Sequence, residues 1–292
     1  MNVLWRSVPA PGLVLGGIVS VQIGAGIAKG LFESMPPSAV VFMRLLTSAV
    51  ILAFLTRRVI RMMRPRLDRS GVMVLVAFGL SLAVMNFSIY QSFSRIPLGI
   101  AVTIEFLGPL GVAVAFSRRR MDLVWVVMAA LGVLLLTRGS ADSLDPVGVV
   151  YALVAGAGWA AYILLSVETG RRFEGASGLA VASAVGMLAV APIGLGEGGA
   201  SMWQPSLVAV AVAVGLLSSA VPYALELEAL RRMPAKVFGI LMSLEPVVAA
   251  LVGLVLLSEI LAVREWAAIG CVVLACIGAT KASRNPPEAP EA

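Results

Sequence analysis

The sequence predicts an all-α integral membrane protein whose ten transmembrane helices form two inverted five-helix repeats. Three observations predict this: a composition too apolar for a soluble domain, ten apolar stretches of membrane-crossing length, and an ordered series of motifs that occurs twice. Of the 292 residues, 60% are hydrophobic and 13% charged, where a soluble domain has about 45–50% apolar and about 25% charged residues. Mean hydropathy is +0.98, an excess that a water-surrounded core does not absorb.

The apolar stretches fall near residues 11–30, 38–56, 71–93, 97–117, 121–137, 146–167, 176–195, 206–229, 235–257 and 263–281. Most reach the length that crosses a hydrocarbon layer of roughly 30 Å at about 1.5 Å per helical residue. Helices are required because lipid leaves the backbone groups of an open strand unpaired. The first stretch superficially resembles a secretory signal, but it is longer than a signal's apolar region, so a retained first helix is expected.

A pI near 9.9 would suit nucleic acid if the cations shared one face of a folded domain. Here they sit in loops between apolar stretches, so they read as topology. With the amino terminus inside, Arg6, the run from Arg57 to Arg69, Arg118 to Arg120, Arg171, Arg172, Arg231, Arg232, Lys236, Lys281 and Arg284 are cytoplasmic, and Arg95, Arg138 and Arg264 are outside. The tail, residues 282–292, is rich in Pro and Glu and is expected to be a disordered cytoplasmic end. Cys271 and Cys276 lie within the last stretch, no histidine accompanies them, and a structural role is expected.

The duplication is the most informative signal. Gly24-Ala25-Gly26-Ile27-Ala28 returns as Gly156-Ala157-Gly158-Trp159-Ala160. Arg95-Ile96-Pro97 is followed after twelve residues by Pro109 and after thirteen more by Asp122, and Arg232-Met233-Pro234 is followed at the same intervals by Pro246 and Glu259. The repeats are expected over residues 1–140 and 141–281. Five being odd, the second copy enters the bilayer inverted, which is the usual architecture of alternating-access carriers.

Ionisable and polar groups inside the apolar stretches are the candidates for chemistry, because an unpaired charge near the bilayer centre costs from about 2.5 kcal/mol upward. Glu105 precedes Pro109 by four residues, and Glu245 directly precedes Pro246. Proline frees a backbone carbonyl, so each carboxylate is expected beside irregular backbone, where carriers bind substrates and ions. A proline kink with a buried, paired carboxylate is the plainer reading. For Lys29 and Arg44 two fates are open: snorkelling to the surface, or facing Glu105 as a plus and minus pair suited to a zwitterion. Asn86 and Tyr90, one helical turn apart, and Trp159 with Tyr162 offer polar groups, although aromatic residues in such helices commonly serve packing. Tyr223 and Glu226 follow Pro222, and Glu228 is expected to pair with Arg231 or Arg232. The substrate set is thus Lys29, Arg44, Asn86, Tyr90, Glu105, Trp159, Tyr162 and Tyr223, with Glu105, Glu245 and Glu226 as proton carriers. Gly12 with Gly16, and Gly26 with Gly30, fit a small-residue pattern for helix contact.

No phosphate-binding Gly-x-x-x-x-Gly-Lys-Ser/Thr loop occurs, so nucleotide hydrolysis by this chain is not expected to supply energy. Neither a His-Glu-x-x-His nor a Gly-x-Ser-x-Gly motif occurs, and Asp68, Asp122, Asp142 and Asp145 are scattered, which weighs against a membrane enzyme acting on lipid. An accessory subunit without transport activity is the remaining rival.

The segment from Arg95 to Pro109, with Ser117-Arg-Arg-Arg120, Ser218-Ser-Ala-Val-Pro-Tyr-Ala-Leu-Glu226 and Phe238-Gly-Ile-Leu-Met-Ser-Leu-Glu-Pro246, closely resembles the bacterial threonine/homoserine exporters of the EamA-type drug/metabolite transporter superfamily. The likeness runs from Gly24 to Thr280. It implies ten helices in two inverted repeats, residence in the bacterial inner membrane, and proton-driven efflux of small amino acids; multidrug efflux is the alternative within the fold. The partners implied are a small-molecule substrate, protons and the lipid bilayer, with no nucleic acid and no cofactor. Self-association as a homodimer is left open.

Overall fold

The computed structural model describes residues 8–63, 68–115, 122–137, 144–173 and 177–282. Among them the chain is helical throughout, with no strand. In chain order the helices are α1 Ala10–Gly30, α2 Pro37–Met63, α3 Arg69–Phe93, α4 Leu98–Glu105, α5 Leu107–Ala115, α6 Asp122–Thr137, α7 Pro146–Arg172, α8 Ser177–Gly198, α9 Pro205–Gly215, α10 Val221–Leu230, α11 Ala235–Met242, α12 Glu245–Leu257 and α13 Val263–Ala282. A π-helical turn, Leu216–Ala220, joins α9 to α10.

Among the described residues, eight helical stretches are long and apolar enough to cross a membrane. Large apolar side chains cover the outside: Val255 is 76% and Phe54 66% exposed, a surface that is stable only against lipid. The chain is a multi-pass membrane protein. Where the fifth and eighth crossings were expected stand shorter apolar helices, Val124–Leu135 and Pro205–Ala220. The expected boundary between repeats at residue 140, the arginine triplet Arg118 to Arg120, and all but the first residue of the expected tail lie outside the described residues.

Helix starts follow local chemistry. Pro at the first turn opens α7, α9 and α12, where the missing N–H costs nothing. Asp68 caps α3 by accepting from the Gly71 amide at 2.7 Å. That bond, with the Ser70 hydroxyl, holds the Asp68 carboxyl below its ordinary pKa. The second expected stretch extends as helix to Met63, beyond its apolar part, because the arginines that follow Leu55 are good helix formers.

Two expected single helices are broken. The fourth is split at Phe106 into α4 and α5, and the ninth at Ser243 and Leu244 into α11 and α12. Each break lies two to three residues before a proline of the repeated ladder, Pro109 or Pro246, whose missing N–H ends the regular bonding pattern. The π turn follows the same logic, because Pro222 sits just beyond it and a wider turn accommodates the missing donor. No expectation anticipated this turn.

In packing, α3 lies on α7 and α8, α2 on α8, α6 on α13, α4 on α7 and α12, and α1 on α10 and α12. The break after α4 rests on α7 with backbone against backbone. A Cβ on Gly156 would meet the Glu105 carbonyl oxygen at 2.8 Å, and one on Gly108 would run into the Gly156 carbonyl, so both positions need glycine. The paired small residues of α1 are used unevenly: a Cβ on Gly26 would meet Val252 and Leu256, whereas one on Gly30 would stand in open space.

Candidate functional site

Two adjoining cavities occupy the middle of the bundle. The deeper measures about 130 Å³ and is walled by Gln22, Arg44, Tyr90, Glu105 and Glu245, among others. The larger, about 680 Å³, shares Arg44, Asn86, Trp159 and Glu245 with it and extends past Tyr162 and Glu226 to Glu228, Arg231 and Arg232. Those last residues are solvent-exposed and mark a mouth; Arg231 has 69% of its side chain in solvent. The larger cavity is within the roughly 300–1,000 Å³ usual for small-molecule sites.

Arg44 of α2 faces this space rather than the membrane surface. Its Nε donates to Ser218 Oγ at 2.7 Å, its second terminal nitrogen donates to the Ser218 carbonyl at 3.2 Å, and its first donates to Asn86 Oδ1. Its guanidinium also lies 5.5 Å from the Tyr90 ring centre. The π turn explains the arrangement. Its irregular bonding frees carbonyls, and Ser20 and Arg44 take up those of Leu217 and Ser218. Asn86 is held in turn by its Nδ2, which donates to the Leu82 carbonyl at 2.8 Å.

The three carboxylates form a file. Glu105, at the end of α4, lies within electrostatic reach of Arg44 and Glu245, and Glu245, at the start of α12, lies within reach of Glu226 on α10. Glu245 Oε1 accepts from Gln22 Nε2 at 2.9 Å. One guanidinium against three carboxylates leaves a surplus of acceptors, which protons or a cationic group would offset. Among the described residues no cluster of three or more His, Cys, Asp or Glu side chains is arranged to hold a metal ion.

Of the expected substrate set, Arg44, Asn86, Tyr90, Glu105, Trp159 and Tyr162 line one or both cavities. Trp159 stands edge-on to Phe106, with ring centres 4.9 Å apart, and so braces the break after Glu105. Tyr162 packs on Phe78 at 5.1 Å. Lys29 stands apart from both cavities. Its ammonium is 2.6 Å from Glu259 Oε1 and donates to the Ile96 carbonyl at 2.8 Å, so it takes neither the surface nor the Glu105 position. The side chain of Tyr223 lies outside the described residues. Glu228 pairs with Arg231 and Arg232, as its spacing predicts.

Gln22, Ser218 and Glu259 belong to this architecture and were missed. The available signal for Gln22 was an amide in the middle of a stretch otherwise able to face oil; the structure buries it, at 2% exposed.

At the end opposite the mouth, Tyr90 meets Phe32 edge-on and packs at a tilt against Phe93. Beyond them the Lys29–Glu259 pair closes the bundle, with Glu259 Oε2 also accepting from the Leu98 amide at 2.8 Å.

Residues 146–280 match the model of the EamA-like transporter family. The threonine/homoserine exporter RhtA of Escherichia coli K12 is 39% identical over 276 residues, covering 94% of this chain and 92% of that one. The protein of the same name from Salmonella typhimurium LT2 is 39% identical over 279 residues. The chain belongs to the EamA-like transporter family. A solved crystal structure with 16% identity superposes with a TM-score of 0.61 over 92% of this chain and 96% of its own, which shows the shared fold. These relatives are named as exporters, that is transporters rather than enzymes, and a cavity rich in charge is in keeping with EamA-like proteins as carriers of solutes.

Proposed function

We propose that the protein exports threonine, homoserine or a similar small amino acid across the bacterial inner membrane, in exchange for protons. One observation carries the reading: Arg44 and the carboxylates Glu105 and Glu245 line one cavity in the middle of the helix bundle. Arg44 offers a forked donor to a substrate carboxylate, and the glutamates offer acceptors to an ammonium. The names of the bacterial relatives supply the substrate class.

The same reading takes the chain as ten crossings in two inverted repeats, residues 1–140 and 141–281, with both termini and the tail 282–292 in the cytoplasm. It is supported by reciprocal packing. If each helix is paired with its counterpart one repeat later, the α3–α7 contact matches α1–α10, α4–α7 matches α1–α11, α5–α7 matches α1–α12, and α2–α8 and α6–α13 each join a helix to its own counterpart. The two helix breaks also fall at equivalent steps of the proline ladder. Basic loops would make the mouth at Arg231 and Arg232 cytoplasmic. The state described is then open inward and shut outward by Lys29 and Glu259. The cavity is completed within one chain, so building it does not require a homodimer.

In the cycle, substrate enters from the cytoplasm onto Arg44 and the glutamates, the two repeats rock, and protons entering from outside displace the ammonium from Glu105 or Glu245. Everted vesicles test this: acidifying their lumen should drive labelled threonine inward. The apolar part of the larger cavity, with Ile51, Leu52 and Leu179, supports a second reading, efflux of larger apolar solutes. Vesicles that accumulate a lipophilic cation but no amino acid would select it.

A further inference from the structure

We propose that Gln22, together with Glu245, forms the seat for the amino group of the substrate. The proposal rests on the amino-acid export reading and names a binding residue for it. Gln22 lies in the middle of α1, is 2% exposed and lines the deeper cavity together with Glu245. Its Nε2 donates to Glu245 Oε1 at 2.9 Å. With Glu245 ionised, as it is when it meets an ammonium, the opposite placement of the amide would set two oxygen acceptors against each other, so the nitrogen faces the carboxylate and the oxygen faces away from it. Two buried oxygens are then left without a partner, Gln22 Oε1 and Glu245 Oε2. Buried acceptors held open in this way cost free energy unless a donor arrives.

An ammonium is the donor that fits. It carries three N–H groups in a fan and a positive charge, and here it meets one neutral and one anionic acceptor, with the Glu105 carboxylate on the same wall. Glu245 supplies charge and Gln22 supplies direction. A solute with a carboxylate but no amino group would satisfy Arg44 and leave both oxygens open. Gln22 is thereby a determinant of amino acids over hydroxy acids.

Competition binding to the purified full-length protein in nanodiscs tests the assignment, with threonine and its deaminated analogue β-hydroxybutyrate as probes. Gln22→Met keeps the size of the side chain and removes its acceptor. It should weaken threonine binding by about tenfold or more while changing β-hydroxybutyrate by no more than about twofold. Retained binding of the analogue also reports that the variant is folded. A variant that weakens both probes alike, or neither, overturns the proposal, because Gln22 would then only brace Glu245 or the helix. If the unaltered protein binds neither threonine nor another small amino acid, the export reading itself fails, a result visible without any variant.

Discussion

Lys29 and Glu259 meet at 2.6 Å across the two halves of the chain, tying the end of α1 to the segment that follows α12. The same carboxylate receives the Leu98 amide, and the same ammonium reaches the Ile96 carbonyl. Three bonds therefore converge where α1, the start of α4 and the end of α12 meet. Ser258 beside them is in the left-handed region at φ 56°, which turns Glu259 back so that its amide donates to the Gly253 carbonyl.

In alternating access this junction must part. Glu259→Gln should destabilise the closed outer end by roughly 1–2 kcal/mol, a five- to thirtyfold shift toward the outward-open state. Maleimide labelling of a single cysteine placed at Phe32, in a background lacking Cys271 and Cys276, should rise accordingly. Exchanging the charges, Lys29→Glu with Glu259→Lys, should bring labelling back toward the starting level. Unchanged labelling in Glu259→Gln would remove the pair from the gating mechanism.

Arg44 is held on three sides, by Ser218, Asn86 and the Tyr90 ring. Lysine keeps the charge but loses the fork, so Arg44→Lys should weaken threonine binding by at least about thirtyfold and Arg44→Ala by more. Equal affinity of the lysine variant would show that a point charge suffices.

Proton coupling has its own signature. If Glu105 or Glu245 exchanges protons, replacing that residue by Gln fixes it neutral. The variant should still exchange labelled for unlabelled threonine but should no longer accumulate it when the vesicle lumen is acidified. Accumulation that persists in both single variants would place coupling elsewhere, with Glu226 the next residue to test.

The close approach of Gly108 and Gly156 bears on stability. Gly108→Ala forces a methyl group into the Gly156 carbonyl, and because backbone rather than a flexible side chain must move, a loss of about 1–3 kcal/mol is expected. Thermal unfolding in detergent would register it as a lower Tm, whereas Gly111→Ala, inside α5 with open space around it, should leave Tm unchanged or raise it.

Much of this was legible in the sequence for one physical reason: charge in an oil-facing stretch is expensive enough to stand out. That is how Arg44, Glu105, Glu245 and Glu226 were found, and the prolines beside two of them marked the broken helices. Gln22 escaped because it has no formal charge, although its unmet bonds matter as much in a dry site. The partnership of Lys29 with Glu259 escaped because the residues lie in opposite halves of the chain and only the fold brings them together. The π turn has no local motif, and Pro222 alone is also compatible with a simple kink.

That turn has a consequence for how the cavity is phased. Winding Leu216–Ala220 as ordinary α-helix, with the surplus residue kept, would rotate everything after it by about 100° relative to what precedes. Glu226 would swing off the cavity wall, and the carbonyl that steadies Arg44 would lose its aim. The wider winding that absorbs this surplus residue thus keeps the cation and the last carboxylate in angular register, and in this stretch the pitch of the backbone is under as strict a constraint as residue identity.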